Sequence, residues 1–246
     1  MDQVATVSSE KRLPSCSTVT IDHRWIGALQ PLKLGIVAGL ALIVFGVCAQ
    51  AFVTADHGLD RLLLGGMPGP FEGPGPLGPR WLRELSWDLT AFGSPGVVGA
   101  LVSSGAGFLY LAGRRMEALY LIGSVGSGAA FGYFLKRGFG VLRPHHEADS
   151  GLELSTSFPS GHAMLASLLC ASIVMLVSRT TPLPVRNQLT AFAMIGAALL
   201  SLSVGLSRIH LGLHWPTDVI AGWIAGAGWA VLFGALVPMG GNSTRN

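Results

Sequence analysis

Six apolar runs of similar length alternate with short polar breaks along this chain. Each run is close to the ~20 residues with which an α-helix crosses a bilayer, and none alternates strictly as a barrel strand does. Lipid leaves no room for unpaired backbone outside helices and closed barrels. The pattern therefore predicts an all-α fold, a six-transmembrane-helix bundle with spans near 32–53, 94–113, 116–135, 162–178, 189–206 and 218–237.

The longest polar break, residues 54–93, is expected to contain one further helix. Its middle, F-E-G-P-G-P-L-G-P at 71–79, is too rich in Gly and Pro for a regular helix. Residues 81–90 then place apolar side chains at helical spacing, with Trp81 and Trp87 as possible anchors. We predict an interfacial helix in the first external loop. A loop folded onto the bundle fits the same pattern equally well.

Composition strengthens the membrane interpretation. Apolar types make up 50% of the 246 residues and charged types 12%, about half the roughly 25% of soluble domains. The net charge of +3, without a long basic run, argues against a nucleic-acid partner. Residues 1–30 lack the layout of a cleaved signal and are predicted to be a disordered cytoplasmic tail. The membrane domain is then expected over 31–240.

Basic residues outside the motifs described below concentrate in alternate breaks. By the positive-inside rule these breaks face the cytoplasm. Six spans then place both termini in the cytoplasm and the motifs on the outer side. The residues that fix this orientation are Lys11, Arg12, Arg24, Lys33, Arg114, Arg115, Arg179 and Arg186.

Three short stretches at the ends of apolar runs hold most of the remaining ionisable chemistry. They read K-R-G-F-G-V-L-R-P at 136–144, P-S-G-H at 159–162 and S-R-I-H-L-G-L-H-W-P-T-D at 207–218. Ionisable residues are costly near a membrane interior, so such clusters mark candidate functional sites.

The cations and the polar helix start suit a phosphate dianion. Lys136, Arg143 and Arg208 can surround it, because the forked guanidinium group matches phosphate oxygens. Ser160 and Gly161 fall where the fourth long helix begins, and the free backbone N–H groups of a helix start bind anions. These five residues are the predicted phosphate-binding set.

Two histidines and an aspartate add reactive groups. If Pro216 opens the last helix, Asp218 lies in its first turn and can accept a hydrogen bond from one ring nitrogen of His214. The other nitrogen is then free to attack as a nucleophile. His162 can protonate the departing oxygen.

The three motifs, K-x6-R-P, P-S-G-H and S-R-x5-H-x3-D, resemble in order and spacing the signature of the type 2 phosphatidic acid phosphatase (PAP2) and haloperoxidase superfamily. Six helices with outward-facing motifs are similar to its bacterial integral-membrane branch, as is D-L-T-A-F-G-S at 88–94. The resemblance implies a multi-pass enzyme of the bacterial inner membrane, with its site facing the periplasm or cell exterior.

The resemblance also implies a phosphatase that needs no metal and no cofactor. In that mechanism His214 is the nucleophile and forms a phosphohistidine, Asp218 orients it, and His162 is the general acid. The phosphoryl oxygens are bound by Lys136, Arg143, Ser160, Gly161 and Arg208.

The substrate is expected to be a lipid phosphate or diphosphate. Undecaprenyl diphosphate is the first candidate, followed by phosphatidate and phosphatidylglycerophosphate. Two other classes stay open. One is a lipid-phosphate binding or transport protein without turnover, against which the set His162, His214 and Asp218 argues. The other is a metal-dependent hydrolase in which His145, His146 and His210 join His162 and His214 in a zinc or manganese site, although few carboxylates lie near them. The oligomeric state and the roles of those three histidines are not readable from the sequence.

Overall fold

The computed structural model describes residues 41, 43–50, 57–67, 78–139, 157–182 and 184–237. Every regular element within them is an α-helix, which confirms the predicted all-α class for this part of the chain. Residues 43–50 are helical. Seven helices follow: α1 (Gly58–Leu63), α2 (Arg80–Ala91), α3 (Pro95–Leu111), α4 (Arg115–Phe139), α5 (Gly161–Thr180), α6 (Arg186–His210) and α7 (Pro216–Leu236).

The last five predicted spans coincide with α3 to α7. Four helices, α4 to α7, are long and apolar enough to cross a membrane. Helices α2 and α3 meet at a bend of 48° and would form a fifth span if taken together. Most of the first predicted span and the whole predicted tail, 1–30, lie outside the described residues. A multi-pass membrane fold follows, whereas the sixth span stays a prediction.

Local sequence explains where the helices begin and end. Ser94 caps α3 by accepting a hydrogen bond from the Val97 N–H over 3.3 Å, and Pro95 occupies the first helical position. Just after the carboxyl end of α6, Gly212 adopts φ 70°. The N–H of Gly212 then donates to Ile209 and that of Leu213 to Arg208, both over 3.0 Å. This is the Schellman arrangement, which favours glycine.

Close packing of α5 against its neighbours builds the centre of the bundle. A Cβ atom at Gly222 of α7 would lie 2.6 Å from the Ser160 carbonyl oxygen, and one at Gly226 would collide with the Met164 carbonyl. Small residues therefore permit backbone contact within the bundle. On α4, by contrast, Cβ atoms at Gly128 and Gly132 would collide with side chains, those of Leu168 and Trp229 and that of Met164.

One face of α6 carries large apolar side chains that none of the helices described above covers. Phe192, Ile195 and Leu199 are exposed by 77%, 61% and 63%. Such a stripe is unfavourable on a surface in contact with water, whereas in a bilayer lipid chains cover it. This face supports the placement of α6 in a bilayer.

Candidate active site

The amino ends of α5 and α7 lie side by side. Ser160, the N-cap of α5, is fully buried, and its N–H donates to the Asp218 carbonyl oxygen over 3.0 Å. Asp218 is the third residue of α7, so this bond ties two helix starts together. Each start carries partial positive charge from its unpaired N–H groups. The pair forms a place that favours an anion.

Asp218 is held rigidly by neighbours on both sides. Its Oδ2 accepts hydrogen bonds from Ser157 Oγ over 2.6 Å and from the Trp215 N–H over 3.1 Å. The same oxygen lies 3.4 Å from His214 Nδ1, and both side chains are 1% exposed. The predicted opening of the helix by Pro216 is confirmed. With Nδ1 turned to the carboxylate, Nε2 lies at the edge of the His214 ring away from Asp218.

Two polar atoms at this place are buried without a hydrogen-bond partner among the described residues, Ser160 Oγ and Asp218 Oδ1. Buried polar atoms are nearly always paired in folded proteins, so an exception calls for a reason. A hydroxyl at the N-cap of α5 can donate to a phosphoryl oxygen, which supplies such a reason for Ser160.

Arg208 enters the site from the end of α6. It is 7% exposed, and its Nη1 donates to Thr90 Oγ1 of α2 over 3.3 Å. Its backbone carbonyl accepts the Schellman bond from Leu213, so one tight turn separates Arg208 from His214. The spacing S-R-x5-H thus equals a helix end plus its glycine turn.

Lys136 reaches the start of α5 from the end of α4. A Cβ atom placed on Gly161 would lie 3.3 Å from both Cε and Nζ of Lys136. The ammonium group therefore rests directly over the first backbone unit of α5. Glycine at this position leaves room for that contact.

His162 occupies the first turn of α5 and is partly exposed. Its backbone is fixed by the turn between α2 and α3, because a Cβ atom on Gly93 would lie 2.5 Å from the His162 carbonyl oxygen. The D-L-T-A-F-G-S stretch at 88–94 thus packs against the P-S-G-H stretch at 159–162.

The structure brings most of the predicted site residues to one end of the bundle. Lys136 and Gly161 are in contact, Ser160 is bonded to Asp218, and Asp218 faces His214. Arg143, and with it His145 and His146, lies outside the described residues. Within the described part of the chain, no three His, Cys, Asp or Glu side chains are grouped as a metal site would need.

Sequence analysis missed three residues that support the site. Ser157 binds Asp218, Thr90 binds Arg208, and Ser86 lies 2.9 Å from His210 Nδ1. Ser157 stands two residues before P-S-G-H, and Thr90 is inside the 88–94 stretch, so proximity to the motifs was the available signal. The Ser86 contact shows that His210 fastens α6 to α2.

Comparison with known proteins identifies a family to which the chain is similar. A family model described as the PAP2 superfamily matches residues 117–240. The chain is 30% identical over 147 residues to phosphatidylglycerophosphatase B of Bacillus subtilis, covering 59% of this chain and 70% of the relative. It is also 37% identical over 71 residues to an undecaprenyl-diphosphatase of Sulfolobus acidocaldarius, 29% of each chain.

A solved structure has a similar fold. The crystal structure of a transmembrane PAP2-type phosphatidylglycerolphosphate phosphatase from Bacillus subtilis superposes with a TM-score of 0.61 at 24% identity. The match covers 81% of this chain and 94% of the other. At this identity the likeness concerns the fold alone.

Proposed function

We infer the function from one premise, that this chain belongs to the PAP2 superfamily and is a membrane lipid phosphatase, a hydrolase of phosphoric esters. We propose that His214, Asp218 and His162 carry the reaction. The observation that carries this proposal is the buried His214–Asp218 pair, set beside the start of α5.

The proposed reaction has two steps. His214 Nε2 attacks phosphorus, and the bond from phosphorus to the leaving oxygen breaks with its electron pair on that oxygen. His162 donates a proton to the leaving oxygen. Water then attacks the phosphohistidine, and neutral His162 accepts the proton of that water. The P–N bond breaks, inorganic phosphate leaves and His214 is regenerated.

The negative charge on the phosphoryl oxygens is met by a prearranged set of donors. Lys136 Nζ lies over Gly161, and Ser160 Oγ is buried at the helix start. Arg208 approaches from α6, held by Thr90. Fixed donors of this kind stabilise a transition state without reorganising. Arg143 completes the set in our proposal.

We also propose a topology for the whole chain. A tail at 1–30 and a domain at 31–240 with six spans put both termini in the cytoplasm of a bacterial cell. The site then faces the periplasm or exterior across the inner membrane. Trp81 and Trp87 are exposed on α2 by 63% and 52%, which suits an interfacial helix with aromatic anchors.

Undecaprenyl diphosphate is our first candidate substrate, supported by the name of the Sulfolobus relative. Phosphatidylglycerophosphate is the second, supported by the name of the Bacillus relative. The test is phosphate release from a panel of both lipids and phosphatidate by detergent-purified protein, with His214→Ala as the inactive control. Binding of a lipid phosphate without release of phosphate from any of them would instead make the chain a binding or transport protein.

Activity after treatment with a chelator distinguishes the proposed mechanism from that of a metal-dependent hydrolase. We expect activity to survive exhaustive treatment with EDTA, because the proposed mechanism uses only side chains. Activity that EDTA abolishes and zinc or manganese restores would overturn it.

A further inference from the structure

The amino end of α7 is bound by a second carboxylate that the proposed reaction does not use. Asp60, in α1, is fully buried. Its Oδ1 accepts a hydrogen bond from the Thr217 N–H over 2.8 Å, and its Oδ2 accepts one from Thr217 Oγ1 over 3.0 Å. A buried charge is retained only where it is well bonded, and here both oxygens are bonded to a single residue 157 positions away.

His57 connects Asp60 to Trp215, the residue next to the proposed nucleophile His214. Its Nδ1 lies 3.2 Å from Asp60 Oδ2. Its ring stacks on Trp215, with centroids 4.2 Å apart and planes inclined by 12°. The segment 57–60 therefore holds Trp215, which follows His214, and Thr217, which precedes Asp218.

Two carboxylates thus act on the same turn from different sides. Asp218 accepts from the Trp215 N–H inside the turn, whereas Asp60 accepts from the Thr217 N–H across from α1. Thr217 immediately precedes Asp218, so a shift of its backbone moves the carboxylate that faces His214. The negative charge of Asp60 also lies at the positive end of the helix.

We propose that Asp60 is a positioning residue for the reaction: through Thr217 it fixes the turn that aims His214 and Asp218. This inference rests on the proposed function of those two residues. Asp60 binds no part of the substrate in this scheme, so its loss lowers kcat and leaves KM nearly unchanged. A displacement of about 1 Å in reacting groups can cost on the order of 100-fold in rate.

Two substitutions separate hydrogen bonding from charge. Asp60→Asn keeps an oxygen for the Thr217 N–H and removes the charge, and its amide group can donate to Thr217 Oγ1. Asp60→Ala removes both bonds. Glu84→Gln is the matched control, because Glu84 is an exposed carboxylate on α2 paired only with exposed Arg80 in the described contacts.

We expect kcat to fall about 10- to 100-fold in Asp60→Ala and less in Asp60→Asn, with KM within about twofold and Glu84→Gln unchanged. Thr217→Val should show a smaller loss, which Thr217→Ser restores because it returns the hydroxyl. Kinetics are measured on the full-length protein in detergent, with thermal unfolding followed on the same samples. If Asp60→Ala does not fold, Asp60→Asn and the Thr217 pair decide the matter.

Two results would overturn the inference. One is an Asp60→Ala enzyme, folded like wild type, whose kcat is within twofold of wild type, or, where that variant does not fold, a Thr217→Val enzyme with the kcat of wild type. The other is a loss of activity that merely follows the loss of folded protein. If His214→Ala is inactive in the same assays, either result refutes only the role of Asp60. An active His214→Ala enzyme would refute the proposed catalytic role of His214, on which the inference about Asp60 rests.

Discussion

Both ends of the bundle carry arginines at helix termini, yet the two ends treat them differently. At the end formed by the starts of α5 and α7, Arg208 is 7% exposed and bonded to Thr90 of another helix. At the opposite end, the side chain of Arg114 is 41% exposed and pairs with Glu117 three residues away over 3.3 Å. Arg179 there donates to the Gly234 carbonyl over 2.5 Å.

The opposite end also has a crevice, of about 440 Å³, in which Arg114 pairs with Glu117 while Arg179 and Thr180 donate to backbone carbonyls. It is lined by Gly113, Arg114, Glu117, Arg179, Thr180, Thr181 and Pro182. At the site end, by contrast, Ser160 Oγ and Asp218 Oδ1 are buried without a partner in the part of the chain that the structure describes. Thr190 Oγ1, near the start of α6, is also buried without a partner among the described residues. An unused bonding group therefore marks a reactive site only where it lies beside other reactive side chains, as Asp218 lies beside His214.

The largest effect should come from the buried pair. His214→Ala removes the nucleophile and is expected to abolish phosphate release while lipid binding persists. Asp218→Asn should lower the rate by several orders of magnitude, since the analogous change in a Ser-His-Asp triad costs about 10⁴-fold. Phosphate release and lipid binding are measured on the same preparations. Substantial activity in His214→Ala would make His210 the candidate nucleophile instead.

The next effect depends on the leaving group. His162→Ala should lose on the order of 10²- to 10⁴-fold in turnover of a phosphomonoester lipid, because an alcohol departs poorly without a proton. The loss on a diphosphate lipid should be smaller, since a phosphate leaves more readily. Rates on both substrates under identical conditions test this. An equal loss on both would leave His162 as a phosphate-binding residue only.

A smaller effect should follow from crowding the phosphate-binding lysine. Gly161→Ala places a methyl group in tight contact with Lys136, 3.3 Å from its Cε and Nζ. The flexible lysine can shift, so we expect KM to rise severalfold with a lesser change in kcat. Gly126→Ala is the control, because a Cβ atom there meets nothing within 4 Å. Equal KM values for the two variants would contradict this placement of Lys136.

The smallest effect should come from the opposite end. Arg179→Ala removes a donor from the Gly234 carbonyl, at a partly exposed place where one hydrogen bond contributes about 1 kcal/mol or less. We expect unchanged kcat and KM and a slightly lower thermal stability. A large loss of turnover would show that Arg179, at the end opposite the site, contributes to the reaction, and would contradict the contrast drawn between the two ends.

The parts of the site that lie within one segment could be predicted from the sequence. The distances among Arg208, His214 and Asp218 depend on a helix end, a glycine turn and a helix start, each with a local signal. The N-cap position of Ser160 is a local feature of the same kind. Helix spans were predictable for a similar reason, since apolar run length alone decides whether a segment can cross a bilayer.

The supports of the site could not be predicted, because they join distant segments. Thr90 and Arg208 are 118 residues apart, and Asp60 and Thr217 are 157 apart. A lone threonine or aspartate beside an apolar run has no periodicity or spacing that tells which helix it will meet. The position of α2 against α6, visible in the contact of Ser86 with His210, likewise depends on tertiary packing.

The glycine turn after α6 has a consequence for protein engineering. Bonds within 207–219 close the segment on itself, from the Leu211 N–H to Ser207, from the Leu213 N–H to Arg208 and from the Val219 N–H to Trp215. An inserted residue between Arg208 and Gly212 would turn the flanking helix end by about 100° and break this closure. The stretch therefore tolerates substitution better than any change in length, and it should be transplanted between scaffolds only as an intact unit.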